Sequence, residues 1–402
     1  MKSRVLLLIV FISISSLSCT SEKSEWQGTI QNVDEVTVVK NPVEPLNPNL
    51  EIVFEEDLTI GLEEGDEHYM FGGRIIFNTD VHGNFYVTDW GQKTIKKYDP
   101  SGKYLLSIGR SGQGPGEFQN ISIARFDKEN NLYVTDIVSR RISFFDNNGK
   151  FLNQLIIEKQ LLVPLFINSN GHILSEHIVV EELPELIKSY SIIGLFDTDL
   201  NMLAEIRSGS DEIKPQPKRD AESTAKRHAR LISQDAFKPQ LTYLLSDTDH
   251  IYYGLPKHYE IKVYNTEGEL ERIIERDYEP LEVTKKETED YLAELEEEVY
   301  KYVPLPEKVK KRAFELAEFP EYKPAYQKFT LMENGWLFVD AGQATNGLTL
   351  IDIFDQEGKY LSQFMTDLPT GKLFFKNGKA YALDTINDFH YVKRYSFSIM
   401  NN

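Results

Sequence analysis

The stretch from Asp80 to Leu155 states one pattern twice. The first copy reads Gly83-Asn84-Phe85-Tyr86-Val87-Thr88-Asp89, then Ile95 to Asp99, then Ser101-Gly102-Lys103-Tyr104-Leu105. The second reads Asn130-Asn131-Leu132-Tyr133-Val134-Thr135-Asp136, then Ile142 to Asp146, then Asn148-Gly149-Lys150-Phe151-Leu152. Asp89 and Asp136, Asp99 and Asp146, and Gly102 and Gly149 are each 47 residues apart. A fixed period of this size marks a repeat architecture, in which one supersecondary unit cannot bury its apolar face alone.

Each copy carries four short runs of alternating apolar and polar residues, the signature of half-buried strands. In the second copy they fall near 121–127, 131–136, 141–146 and 150–157. Asn130-Asn131 and Asn147-Asn148-Gly149 punctuate them, residue types that tolerate positive φ in turns. Four antiparallel strands in 40–50 residues, repeated, describe a propeller blade. Fainter copies follow at 166–206, 241–270, 328–361 and 373–397. The expected fold is all-β: a six-bladed β-propeller over residues 50–399, with four-stranded antiparallel blades. The last copy has only three strands. An unpaired edge is a liability that ring closure removes, so residues 50–57 are expected to supply its fourth, outer strand.

Two insertions break the period. Residues 208–240 are polar and locally basic, and read as a loop with a short helix near 220–233. Residues 280–323 read as a helical insertion between blades four and five. There Thr284 and Glu287 form a capping box, Tyr291, Leu292, Leu295, Val299 and Tyr302 recur at helical spacing, and Pro306 suits a helix start. Both insertions link an outer strand to the next inner strand. Those links, and the loops joining second to third strands, emerge on one face of a propeller. Binding residues collect on loops held by a rigid scaffold, so a site is expected on this built-up face, at the mouth of the central channel.

The link Gly109-Arg110-Ser111-Gly112-Gln113-Gly114-Pro115-Gly116-Glu117-Phe118 joins the two sharp copies. With Leu132-Tyr133-Val134, Asp136 and the line Arg141-Ile142 to Phe145-Asp146, it resembles NHL-type repeats. More narrowly, the chain resembles the six-bladed propeller lipoproteins of Bacteroidetes-like bacteria. The match is sharp over 72–157 and traceable to about 399.

The amino terminus fits that resemblance. Lys2 and Arg4 precede an apolar run from Val5 to Ile14, too short to span a bilayer and suited to an export signal over residues 1–18. Ser16-Leu17-Ser18-Cys19 follows, and Cys19 is the only cysteine. It resembles the lipid-accepting residue of a bacterial lipoprotein, although Leu17 sits one place nearer the cysteine than usual. Ordinary secretion with cleavage nearby is the alternative. Residues 19–49, polar and interrupted by Pro42, Pro45 and Pro48, read as a tether, with a short strand at Val36–Val39. The expected location is the bacterial cell envelope, lipid-anchored, at the outer membrane. A formal net charge of −19 excludes a phosphate-tracking nucleic-acid surface.

The candidate site residues are of three kinds. Asp89, Asp136, Asp340 and Asp384 each end a second strand. Carboxylates ringing the channel mouth suit a hard cation such as calcium, while a recurring Asp equally caps its own turn. Trp90, Lys93, Arg140 and Arg141 occupy the same loops and suit an acidic or sugar-like ligand, Arg141 being equally placed to tie one blade to the next. His177 and His258, near Glu176 and Tyr259, are the pair that a channel metal such as zinc would use. No spaced histidine motif, nucleophile elbow, P-loop or dinucleotide fingerprint is present, and Gly112 to Gly116 lacks the strand-to-helix setting of a phosphate cradle. The expected function is a non-catalytic binding module for a peptide, glycan or protein partner, without a cofactor. A metal-dependent lyase or hydrolase is the alternative.

Overall fold

A computed structural model describes residues 25–157, 162–168, 170–182, 187–213, 220–343 and 347–401. It contains six antiparallel sheets, each a blade. Blade one pairs Ile75–Thr79, Phe85–Asp89, Thr94–Tyr98 and Tyr104–Ile108 in that order, from inner to outer strand. Blade two follows with Ile121–Phe126, Leu132–Asp136, Arg141–Phe145 and Phe151–Ile156. Blade three uses Leu162–Ile167, Ile173–Glu182, Ile187–Phe196 and Met202–Ile213. Blade four uses Thr242–Leu245, Ile251–Gly254, Glu260–Tyr264 and Leu270–Arg276, and blade five Lys328–Leu331, Leu337–Gln343, Thr349–Phe354 and Tyr360–Thr366. Blade six combines Leu373–Lys376, Lys379–Ile386 and Phe389–Asn401 with Leu50–Ile60, which pairs antiparallel as its outer strand, from Val392 opposite Ile60 to Asn401 opposite Leu50.

The repeated turn residues explain why each unit folds locally. In five blades the turn between third and outer strands opens on Asp99, Asp146, Asp197, Asn265 or Asp355. One side-chain oxygen of each accepts the backbone N–H groups two and four residues on, a side-chain copy of a backbone turn. Gly149 closes one such turn at φ 77, where a side chain would also meet Ile108 of the neighbouring blade. Asp80 and Asn168 do the same work between first and second strands, and Asp127, Ser246 and Asn334 each accept one such N–H. These short turns make up the plain face.

Packing closes the ring. Each of six apolar clusters straddles one seam between adjacent blades. Tyr86 and Ile95 meet Phe118 and Val134 between blades one and two. Tyr133 meets Ile173 between two and three, and Leu174 meets Ile251 between three and four. Ile261 meets Tyr326 between four and five, and Phe338 meets Ala380 and Ile52 between five and six. Ile60 and Tyr381 meet Ile75 and Phe85 between six and one. Second strands such as Phe85–Asp89 and Leu132–Asp136 are buried at every position because both faces of each blade are covered. Gly109 lets the link to blade two pass against the Phe118 ring, since a Cβ there would lie 2.0 Å from it.

The tether expectation requires correction over residues 29–41. Thr29–Val33 and Val36–Asn41 form a hairpin, and the second strand pairs in parallel with Leu270–Arg276, widening the sheet of blade four to six strands. The free edge of blade four takes up the backbone groups, and Val38 and Val39 are buried. Asn41 fixes the crossing. Its amide donates to the carbonyls of Glu275 and Gly358, 2.9 Å each, and its oxygen accepts from Tyr360 N at 2.7 Å and Trp26 Nε1 at 3.1 Å. Leu46 and Asn47 then bond the backbone of blade five before the chain joins blade six.

The first insertion holds the helix expected near 220–233, and its loop reading is corrected at 208–213. The outer strand of blade three runs on to Ile213, and α1 (Ala221–Asp235) is a full helix, capped reciprocally by Asp220 and Ser223. The second insertion forms α2 (Lys285–Leu295), continued by a π-turn at Glu296–Tyr300, and α3 (Glu307–Leu316). The Thr284–Glu287 capping box is in place, and Pro306 caps α3. The insertions, leaving from either side of blade four, pack on each other. Ala225 and Ile232 of α1 share a core with Tyr300, Val309 and Ala313, and His228 Nδ1 meets the Tyr300 hydroxyl at 2.9 Å. No helix among the described residues is long and apolar enough to cross a membrane.

Candidate functional site

Asp89 and Asp136 end their second strands as expected, whereas the second strands of blades five and six run past Asp340 and Asp384 to Gln343 and Ile386, because their pairing with the third strands continues beyond the carboxylates. Asp89, fully buried, accepts from Gly72 N (2.8 Å) and Gln92 N (3.0 Å). Asp136, also buried, accepts from the backbone of Gln119, Asn120, Val138 and Ser139 and from the Ser139 hydroxyl. Asp340 accepts from Gly342 N and Thr370 Oγ1, and Asp384 from Thr385 N beside an ion pair with Lys393 at 3.0 Å. Asp89, Asp136 and Asp340 each tie a second strand to a crossover between blades. Among the described residues, no three His, Cys, Asp or Glu side chains come together as a metal site.

The basic and aromatic candidates divide. Arg141 points inward and donates to the carbonyls of Gln113 and Glu117, so it pins the glycine-rich link between blades one and two. Lys93 and Arg140 occupy matching left-handed positions in their turns, with φ 54 and 49, and Arg140 is exposed. Trp90 is half-buried beneath Arg74, whose guanidinium lies 4.7 Å from the ring centroid. His258 is exposed in the second-to-third-strand turn of blade four. His177 lies opposite Ile192 on blade three, and its side chain falls outside the described residues, as does Cys19.

Sequence reasoning missed the cations of the channel. An inner strand has a ladder partner on one side only, so its other edge presents carbonyls to the ring centre. Lys328 Nζ donates to Gly371 O (3.0 Å), Lys372 Nζ to Ile75 O (3.3 Å) and Lys376 Nζ to Thr79 O (2.7 Å). Each lysine thus joins its inner strand to the next blade around the ring. Arg125 of blade two lies 3.8 Å over the Phe166 ring of blade three. Burial lowers the pKa of Lys328, opposed by Asp340, and of Lys376, opposed by Asp247, Asp80 and Glu333. Burial, then Arg74 and Arg125, push Lys372 down to about 8. An acidic protein thus uses lysines on its inner strands to bridge one blade to the next. The one sequence signal was a lysine opening two inner runs, Lys328-Phe329-Thr330-Leu331 and Lys372-Leu373-Phe374-Phe375.

A family model described as a 6-bladed beta-propeller matches residues 65–161. No curated protein matches the chain in sequence. Among solved structures, a member of the duf4221 family from Bacteroides vulgatus is similar at 11% identity, over 89% of this chain and 100% of that one, with a TM-score of 0.52. A Bacteroides fragilis protein described as exported aligns over 88% of this chain and 87% of its own, at 13% identity and a TM-score of 0.47. Virginiamycin B lyase from Staphylococcus aureus aligns over 86% and 99%, at 10% identity and a TM-score of 0.41. At such identities likeness speaks to fold, not to activity. Six sheets, six seams and the matching family model agree: the chain is a six-bladed β-propeller.

Proposed function

We propose that this protein is a non-catalytic binding module of the bacterial cell envelope, exported by residues 1–18 and held to the membrane through lipid on Cys19. It takes a peptide, glycan or protein partner on the built-up face. The observation that carries this reading is the asymmetry between faces. The plain face has only short turns closed by their own side chains, whereas both long insertions leave the other face and fold into one helical layer with its own core. Elaboration confined to one face of a rigid ring is how scaffolds present binding loops. Glycan and peptide arrays probed with residues 25–402 test it. Removing 282–322 is compatible with the fold, because Lys323 N donates to Leu281 O across the base of the insertion at 2.8 Å. The expected result is a ligand whose binding is lost on that deletion while unfolding stays cooperative. Unaltered binding by the deleted protein would place the site elsewhere.

A further inference from the structure

We propose that the outer rim between blades four and five lies against the bilayer surface, so that the ring stands edge-on to the membrane with the root of its helical layer beside the lipid headgroups. The inference rests on the lipid anchor in the reading above and adds the surface that the protein turns towards the membrane.

Three observations carry it. First, the chain is fixed to the ring much nearer to Cys19 than a tether ending at residue 49 allows. Trp26 Nε1 donates to Asn41 Oδ1 at 3.1 Å, and Lys359 Nζ lies 5.6 Å from the Trp26 ring centroid. The indole packs so closely on Gly28 that no room is left there for a Cβ. Cys19 and Trp26 are seven positions apart, a reach of at most about 25 Å when fully extended. Thirty free residues would reach about 100 Å, whereas a domain of this size is about 50 Å across. The attachment point therefore stays within half a ring's width of the lipid.

Second, that point is on the outer edge. Val36–Asn41 lies outside Leu270–Arg276, the last strand of blade four, and Leu46 and Asn47 bond to Tyr360 and Leu361 in the last strand of blade five. The same point is the root of the helical layer, because Asp277 N donates to Asn41 O at 2.9 Å and the insertion closes where Lys323 N meets Leu281 O. A short leader leaving an outer edge brings that edge to the membrane first. Third, the root leaves apolar side chains in solvent there. Val43, whose carbonyl accepts from Arg276 Nη2 at 3.3 Å, is 47% exposed, and Leu281 is 61% exposed. Leu281 follows Asp277 by four residues, so it lies within about 15 Å of the Asn41 bond. Side chains of this kind enter the headgroup boundary and add contact area to that of the lipid.

The test is energy transfer from the full-length lipidated protein to rhodamine-labelled lipid, in vesicles of phosphatidylethanolamine and phosphatidylglycerol. Cys19 is the only cysteine, so once it carries lipid an introduced cysteine is the one free thiol for the donor dye. Leu281→Cys reports the proposed rim, and Val43→Cys repeats the reading should Leu281→Cys disturb the insertion. Leu152→Cys, on the outer strand of blade two and 46% exposed, reports the far side of the ring. With the two rims about 50 Å apart, transfer from positions 281 and 43 is expected to exceed that from 152 about twofold. Inserting about fifteen Gly and Ser residues between Ser24 and Glu25 adds about 20 Å of mean reach and should bring the three efficiencies together. Equal transfer from both rims, higher transfer from 152, or a difference that survives the longer leader overturns the proposal. The mass of the mature chain reads the lipid separately. An unmodified Cys19 removes the anchor and this inference together, whereas a lipidated Cys19 with equal transfer removes the inference alone and leaves the anchored binding module standing.

Discussion

Two groups of cations in this ring have opposite settings. At the seam between blades four and five, Arg276 Nη1 meets Asp352 Oδ2 at 2.7 Å and lies over the rings of Tyr259 and Tyr360. Asp352, with no exposed surface, also accepts from the hydroxyls of Tyr259 (2.5 Å) and Tyr360 (2.9 Å) and from Gln363 Nε2 (2.8 Å). Burial works against the Arg276 charge, yet Asp352 and the tyrosines more than offset it and raise its pKa. At the channel, Lys372 donates to Ile75 O, and burial, then Arg74 and Arg125, push its pKa down. The first group is complete within the protein and reads as structure. The second has no carboxylate among the charges acting on Lys372 and is the less well compensated of the two.

The largest expected effect comes from breaking the complete group. Asp352→Ala leaves Arg276 buried without its partner and should cost about 3–5 kcal/mol in urea unfolding. Replacing both, Asp352→Leu with Arg276→Met, should recover most of that loss, because a well-packed apolar pair of similar volume is often as stable as the ion pair. A cost below about 1 kcal/mol for the single change, the range of an exposed pair, would erase the contrast between the two groups. A smaller effect is expected at the neutral end of the same seam. Asn41→Ala leaves two carbonyls and two N–H groups without their side-chain partner, for a loss of about 2 kcal/mol. Hydrogen exchange should then show Val36–Asn41 opening ahead of blade four. Exchange protection unchanged in that strand would show that backbone pairing alone holds it.

How legible these features were follows the distance over which each is made. Asp99 with Gly102 and Asp146 with Gly149 complete their turns within four residues, so the repeat, the strands and the ring could be read directly from the chain. The closing strand was legible by elimination, because blade six lacked an outer partner. Blade three was faint because its strands lengthen to ten residues or more and stretch the period. The hairpin at 29–41 was read as tether because its anchor is remote: Asn41 and Glu275 are 234 residues apart, and a parallel pairing leaves no turn signal. At the site, Asp89 and Asp136 were open to two readings, and their backbone donors decide for capping. Lys372 showed only its place at the head of an inner run, since its partner Ile75 is 297 residues away and comes beside it only once the ring has closed.

The smallest expected effect sharpens the comparison by pH. An unfolded lysine holds its proton to about 10.5, whereas burial and the two arginines bring Lys372 down to about 8 in the folded protein. Below pH 8 both states are protonated and the folded state bears the full repulsion. Between about 8 and 10.5 the folded state releases the proton first, so the unfolded state binds more protons and stability rises with pH. Lys96, Lys97, Lys328 and Lys376 are shifted the same way and add to the slope. The difference between parent and Lys372→Met isolates the one group: the variant should be the more stable at pH 7, with a shallower rise in melting temperature towards pH 10. Parallel curves for the two proteins would mean that Lys372 is compensated after all and that the channel group is no different in kind from Arg276.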